Sequence, residues 1–274
     1  MIPVAKATRY TTTQTMLSAL FCAILMSVPL YSWVFNTGWN WASEFPMRLF
    51  GDCLSYMVTF FHELGHCLFA WFYGYPSIPM FDFAHGGGLT IWMDEQQYVL
   101  LGALYAALIF GIFKYRHDRF SVTTFVSIAI FHVLTAYNDD VRSAVISFMG
   151  PLAAPLMAFV FLLYALRNII QHSRRERFFN ALFGFAFIFH GLINGFGLLK
   201  SDAFRIVYFQ QKGGHGLGDF DKIAESFRFL EFTHVIYSYI AINLACLIIP
   251  FIIYWRDAKF EDQGEGLPSQ EPAE

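Results

Sequence analysis

The stretch FFHELGHCLF, residues 60–69, places three ionisable side chains inside an otherwise apolar sequence. Residues four apart in a helix lie on the same face, one turn above each other. His62 and His66 can therefore point their imidazoles at one metal ion, with Glu63 beside them. This is the H-E-x-x-H pattern of zinc hydrolases, in which two His ligands and a Glu general base share one helix. Ionisable side chains inside a membrane span are costly to bury, so their presence marks a functional site.

The composition places this stretch in a membrane protein. The chain has 274 residues, of which 56% are hydrophobic and 14% are charged, whereas about a quarter of the residues in a soluble domain are charged. The formal net charge of −3 gives no argument for a nucleic-acid partner. The four cysteines lie in apolar runs at unrelated spacings, so we interpret them as small buried hydrophobes and not as a disulfide framework.

The apolar runs predict an all-α polytopic membrane protein with about seven transmembrane helices. The predicted spans are residues 15–35, 47–74, 96–113, 120–137, 143–166, 178–199 and 231–254. Residues 1–257 are predicted to form one integral membrane domain, in the cell membrane or, in a bacterium, the inner membrane. The acidic residues 258–274 are predicted to be a disordered tail.

A short β-hairpin is predicted directly after the helix that carries the motif. Between residues 77 and 95, two β-prone pieces flank Gly86-Gly87-Gly88, and glycines between two such pieces are typical of a hairpin. One interpretation is a surface turn between helices. The other is a strand edge beside the metal, to which an extended peptide could add by main-chain hydrogen bonds.

A catalytic zinc takes three protein ligands and keeps one position open, so a third ligand must come from elsewhere in the chain. The candidates are acidic or His side chains, namely Asp219, Asp221, His215, His190, His132, Asp139 and Asp140. Asp219 is preferred because three glycines precede it closely and allow the backbone to bend tightly. The same position, just before a helical pattern, also suits an N-capping carboxylate.

These features resemble the site-2 protease family of intramembrane zinc metalloproteases: the H-E-L-G-H motif at 62–66 in a membrane span, the glycine-rich hairpin and a distant Asp preceded by glycine. The resemblance implies a Zn²⁺ site held by His62, His66 and Asp219, with Glu63 as the catalytic base. It also implies a membrane protein or peptide as substrate, cut within or near the lipid bilayer. The family pattern Asn-x-x-Pro-x-x-x-Leu-Asp-Gly around the third ligand is absent, and residues 216–221 are a divergent substitute.

Three other interpretations remain open. The string G-L-G-D at 216–219 matches the G-x-G-D of intramembrane aspartyl proteases, but that chemistry needs a second membrane-embedded Asp, and the predicted spans offer only Asp52 near an end. A transporter would use the Pro-kinked fifth span and the polar side chains His132, His190 and Asn194 as its pathway. A catalytically inactive zinc-binding scaffold would need the metal ligands but not the general base.

Overall fold

The structure, a computed structural model, describes residues 4–82, 87–167, 173–211, 218–227 and 230–264. Within these ranges it contains nine α-helices, a short 3₁₀ turn (Asn40–Ser43) and two β-strands. The prediction of a helical fold with a small hairpin is confirmed at this level.

The helices account for every predicted span and add two short elements. They are α1 (Val4–Phe35), α2 (Met47–Phe72), α3 (Tyr98–Lys114), α4 (Arg119–Ala136), α5 (Asp139–Arg167), α6 (Arg174–Lys200), α7 (Asp202–Gln211), α8 (Asp219–Ser226) and α9 (Phe232–Gly264), and the strands are β1 (Ser77–Asp82) and β2 (Gly87–Trp92). The seven predicted spans fall on α1 to α6 and on α9. The two additional helices, α7 and α8, lie in the connection between the last two predicted spans.

Five of the described helices are long and apolar enough to cross a membrane: α1, α4, α5, α6 and α9. α3 is apolar but has 17 residues, which span about 26 Å at the α-helical rise, less than the roughly 30 Å of a hydrocarbon core. α2 has 26 residues but is outside this set, because polar side chains interrupt its apolar sequence. That α2 and α3 also cross the membrane therefore stays a prediction.

The helical core is centred on α5, which packs against α2, α6, α8 and α9. Small side chains line these contacts. Ala154 and Ala158 of α5 and Ala181 and Ala186 of α6 are almost completely buried. Small residues let helix backbones approach closely, which is a usual mode of association between membrane helices. α5 thus contacts both helices that carry the predicted metal ligands, α2 and α8.

The predicted hairpin is confirmed, and it lies against α2. β1 and β2 pair antiparallel, with Pro79 opposite Thr90. Gly74 has φ +83° and turns the chain at the end of α2, a conformation that glycine adopts without steric cost. The indole of Trp71 on α2 then donates to the Ser77 carbonyl at 2.8 Å. These contacts fold the hairpin back along the helix that carries the motif.

Three predicted features lie wholly or partly outside the described residues. They are the first glycine of the hairpin turn (Gly86), the third-ligand candidate His215, and the end of the acidic tail from residue 265. α9 continues to Gly264, past residue 257, and the extents of the membrane domain and of the tail stay predictions. Adding residues to an existing helix is far easier than starting one, so α9 runs on from its apolar part into polar sequence.

Candidate metal centre

His62 and His66 project from α2 one turn apart, as their spacing predicts. Their Nε2 atoms lie 3.1 Å apart, and the ring planes are nearly perpendicular at 77°. His66 is buried, with 7% of its surface exposed, whereas the His62 side chain is 26% exposed. The two imidazoles therefore present their Nε2 atoms to one point, with one ring enclosed and the other partly open.

Asp219, the first residue of α8, brings a carboxylate to the same point from 157 positions further along the chain. Its Oδ2 lies 2.9 Å from Nε2 of His62 and 3.5 Å from Nε2 of His66. Two ligand atoms on a tetrahedral zinc, each about 2.0–2.1 Å from the metal, are about 3.3 Å apart. The observed separations of 2.9, 3.1 and 3.5 Å fit such a donor set. Among the described residues, these three form the one group of His, Cys, Asp or Glu side chains close enough to share a metal ion.

The carbonyl of Ile146 on α5 determines which nitrogen of His66 can bind a metal. A carbonyl oxygen only accepts hydrogen bonds, and Nδ1 of His66 lies 2.8 Å from it, so Nδ1–H is the donor. In the neutral ring, Nε2 then carries the free lone pair. Metal-binding His residues usually have this arrangement, with the second nitrogen donating to a carbonyl or a carboxylate. α5 therefore orients His66 toward Asp219.

Two glycines allow α2 and α5 to come this close. A Cβ at Gly65 of α2 would overlap the Met149 carbonyl of α5, and a Cβ at Gly150 of α5 would overlap the imidazole of His66. Neither position has room for a methyl group. The pocket for the buried imidazole is therefore formed by near contact between two helix backbones.

At the start of α8, the carboxylate of Asp219 faces α2, and a second carboxylate caps the helix. The Gly218 amide donates to Oδ2 of Asp221 at 3.0 Å, so Asp221 has the capping role that the sequence also allows for Asp219. Phe220 packs against Tyr208 of α7, with ring centroids 6.3 Å apart. Burial, together with the negative charges of Asp219 and Asp221, raises the pKa of the Tyr208 phenol. A local cap and α7 therefore support the turn that carries the Asp219 carboxylate.

Glu63 lies beside the three clustered side chains and is held by the hairpin. Its side chain is buried, with 6% of the residue exposed. The hydroxyl of Thr90 on β2 donates to Oε2 of Glu63 at 2.7 Å. A Cβ at Gly88 would overlap the Glu63 carboxyl group, so the strand passes directly over it. Glu63 is thus buried, hydrogen-bonded to β2 and adjacent to His62 in the sequence.

The other acidic candidates for the third ligand have different surroundings. Asp139 pairs with Arg142 at 2.9 Å, at the exposed start of α5, and Asp140 is exposed beside it. Asp221 caps α8. The structure therefore brings only Asp219, among the described acidic candidates, to the two imidazoles.

The two His candidates described by the structure also lie outside the cluster. His132 is held between the Tyr105 hydroxyl, at 2.8 Å from Nδ1, and the Phe72 carbonyl, at 3.1 Å from Nε2. The amide nitrogen of Asn194 lies 3.0 Å from both the carbonyl and Nδ1 of His190. Because the carbonyl can only accept, the amide donates, and Nδ1 of His190 is an acceptor. Both rings are thus engaged by neighbouring protein groups.

Sequence patterns do not identify several of the residues that surround the centre. Ile146 acts through its carbonyl, a group that every residue carries, so nothing in the sequence marks it. The sequence predicts Gly88 as part of a turn, whereas the structure places it in β2, and no sequence pattern marks the contact of Thr90 with Glu63. Gly150 stands directly before Pro151 in the predicted fifth span. Small residues in a span are a general sign of close helix approach, and that sign was available.

Comparisons of the chain with models of protein families, with curated proteins and with solved structures each find no match. The likeness to site-2 proteases therefore stays a resemblance of motif and spacing. The chemistry of the centre has to be judged from its own residues and their geometry.

Proposed function

We propose that this protein is an intramembrane zinc metalloprotease that hydrolyses peptide bonds of membrane-embedded or membrane-adjacent substrates. The observation that carries the proposal is the convergence of His62 Nε2, His66 Nε2 and Asp219 Oδ2 within 3.5 Å of one another. Two imidazole nitrogens and one carboxylate oxygen are a known donor set of catalytic zinc. The five helices that are long and apolar enough to cross a membrane support a multi-pass membrane location for this chemistry.

In the proposed reaction, Glu63 is the general base. Zinc held by the three side chains would supply a Lewis acid that acidifies water and polarises the scissile carbonyl. Glu63 takes one proton from the attacking water, whose oxygen bonds to the carbonyl carbon. The C–N bond then breaks, and Glu63 passes the proton to the leaving amine nitrogen. The products are a carboxylic acid and an amine, so atoms and protons balance.

The hairpin is the proposed substrate-binding element. In the described part of the chain, β1 and β2 form a two-stranded sheet, so each strand has one edge with no partner strand. An extended peptide that adds to such an edge is held by main-chain hydrogen bonds. A transmembrane substrate would have to unwind locally to do so, because the backbone groups of a helix already bond to each other. Since β2 passes over Glu63, a peptide beside this strand would lie close to the general base.

Cleavage by purified protein tests the proposal. The protein is reconstituted in liposomes with a pool of synthetic single-span peptides of randomised sequence, and new termini are read by mass spectrometry. We expect the zinc-loaded wild type to cut. Glu63→Gln keeps the size of the side chain but cannot take the proton, so we expect it to lose about 100-fold or more in kcat with unchanged zinc content. Equal cutting by both forms would reject Glu63 as the base.

The same experiment separates the alternative functions. A protein that binds zinc through His62, His66 and Asp219 but cuts no peptide is a scaffold. Solute flux across the liposome without cleavage indicates a transporter. Cleavage that persists after zinc is removed, and that is lost in Asp219→Asn, indicates an aspartyl protease.

A further inference from the structure

The hydrogen bond between Thr90 and Glu63 joins the hairpin to the proposed general base. Oγ1 of Thr90 lies 2.7 Å from Oε2 of Glu63 and 3.2 Å from the Glu63 carbonyl oxygen. A hydroxyl has one proton to donate, and a bond to a carboxylate is shorter and stronger than one to a neutral carbonyl. The short contact to Oε2 therefore takes the proton.

The orientation of β2 produces this contact, because the strand turns the Thr90 side chain toward α2. Side chains alternate between the two faces of a strand. Leu89 and Ile91, on either side of Thr90, are each 51% exposed, so Thr90 lies on the opposite face, toward α2. Gly88 lies on this face too, and a Cβ there would overlap Cγ, Cδ and Oε1 of Glu63. One strand face thus binds one carboxylate oxygen and closes the space around the rest of the carboxyl group.

A Glu side chain has three rotatable bonds and does not hold one position by itself. General-base catalysis requires the carboxylate to stay within hydrogen-bond reach of the attacking water. The α2 backbone places only the Cα of Glu63. Thr90 binds Oε2 of that carboxylate, and the backbone at Gly88 lies directly against the rest of the carboxyl group.

We propose that Thr90 is the positioning residue of the general base, so that the strand proposed to receive the substrate also sets the catalytic geometry. This inference rests on the proposed function of the centre. Its consequence is a division of roles: His62, His66 and Asp219 bind the metal, while β2 positions Glu63. Loss of the Thr90 hydroxyl should therefore affect turnover and leave metal binding unchanged.

Thr90→Val tests this, because valine has nearly the same shape as threonine and lacks the hydroxyl. The assay is the liposome assay above, with the peptide that the wild type cuts best. We expect kcat to fall about 10- to 100-fold, the size of effect that a small misplacement of a catalytic group produces. KM should stay within about 2-fold, and zinc content should be unchanged. Thr90→Ser, which restores a hydroxyl at the same position, should recover most of the kcat.

Thr124→Val is the matched control. The Thr124 hydroxyl donates to the Phe120 carbonyl of its own helix at 2.9 Å, and α4 carries none of the clustered residues. This variant makes the same chemical change elsewhere in the membrane protein. We expect its kcat, KM and zinc content to equal those of the wild type.

The possible outcomes separate this inference from the proposed function. If the wild type shows no zinc-dependent cleavage, or cuts no faster than Glu63→Gln, both the proposed function and the role of Thr90 are overturned. If the wild type cuts and Thr90→Val keeps its kcat, only the role of Thr90 is overturned. The role is also overturned if Thr90→Val loses zinc or has a lower unfolding temperature, and does so both in the otherwise wild-type protein and in Glu63→Gln. That pattern would show that Thr90 supports the fold.

Discussion

His66 of α2 and His132 of α4 are both buried imidazoles, and they differ in the groups that their ring nitrogens contact. His66 has 7% of its surface exposed, and His132 has 2%. At His132, Nε2 donates to the Phe72 carbonyl and Nδ1 accepts from the Tyr105 hydroxyl. At His66, Nδ1 donates to the Ile146 carbonyl, and Nε2 faces His62 and Asp219.

The difference shows how a buried His that supports the fold can be told from a buried His that is available to a ligand. His132 has one donor and one acceptor, and each finds a partner of the opposite kind, so its ring is complete without any ion. His66 has a donor that is satisfied and a lone pair that points at another imidazole and a carboxylate. A lone pair, a second nitrogen and an anion converging on one point are the surroundings that a divalent cation stabilises.

Removing His66 should produce the largest contrast between the two. His66→Ala should lower bound zinc from about one per chain to near zero, because the metal loses its most buried ligand. His132→Ala should keep full zinc. Metal analysis after dialysis measures both, and zinc should raise the Tm of the wild type and of His132→Ala but not of His66→Ala. If His66→Ala kept full zinc, His66 would be no more a metal ligand than His132 is.

Gly150→Ala should weaken the candidate metal centre although it replaces none of the three proposed ligands. The added methyl group would overlap the imidazole of His66 and push the ring away from Asp219. We expect zinc affinity to fall about 10- to 100-fold, as it does when the supports of metal ligands are changed. Competition with a zinc chelator of known affinity measures the effect.

Gly102→Ala is the control for that substitution. A Cβ at Gly102 of α3 meets nothing within 4 Å, so this variant should bind zinc like the wild type. Unchanged affinity in Gly150→Ala would mean that α5 does not set the position of His66.

His132→Ala should act on stability alone. The substitution leaves a gap among Tyr105, Phe72 and Tyr73 and removes two partly buried hydrogen bonds, so we expect a loss of about 1–3 kcal/mol. Thermal unfolding in detergent follows the loss, with zinc content as the parallel measurement. A fall in zinc together with the fall in Tm would show that the two His regions are coupled.

Tyr105→Phe should give the smallest effect and tests the same region more finely. It removes only the hydroxyl that bonds Nδ1 of His132, at an expected cost of about 1 kcal/mol. Tm should fall slightly, while zinc content and cleavage should stay at wild-type values. Any loss of cleavage would contradict the assignment of His132 to the fold.

The local part of the centre could be predicted from the sequence, because its geometry depends on one helix. The spacing of His62 and His66 places both rings on one face in any α-helix. The third side chain of the centre was harder to predict from the sequence, because Asp219 and Asp221 both lie in the first turn of α8. Which of them caps the helix and which turns toward α2 depends on packing against α5 and α7, and no local pattern encodes that choice.

The membrane topology shows the same limit. α5, α6 and α9 are apolar enough to be recognised by composition, whereas α2 carries the polar motif and is less apolar for that reason. The residue types that identify the functional helix therefore weaken its signal as a span. α7 was missed because its polar sequence resembles a connecting loop.

The distance along the chain between the two imidazoles and Asp219 has a consequence for biosynthesis. A ribosome that has translated the chain through α6 has made both imidazoles and Glu63, but not the carboxylate at position 219. On the proposed assignment, the nascent chain cannot hydrolyse other proteins at the site of insertion. On that assignment, activity would begin only when most of the polypeptide has been synthesised, and the order of the elements would delay catalysis until assembly is nearly finished.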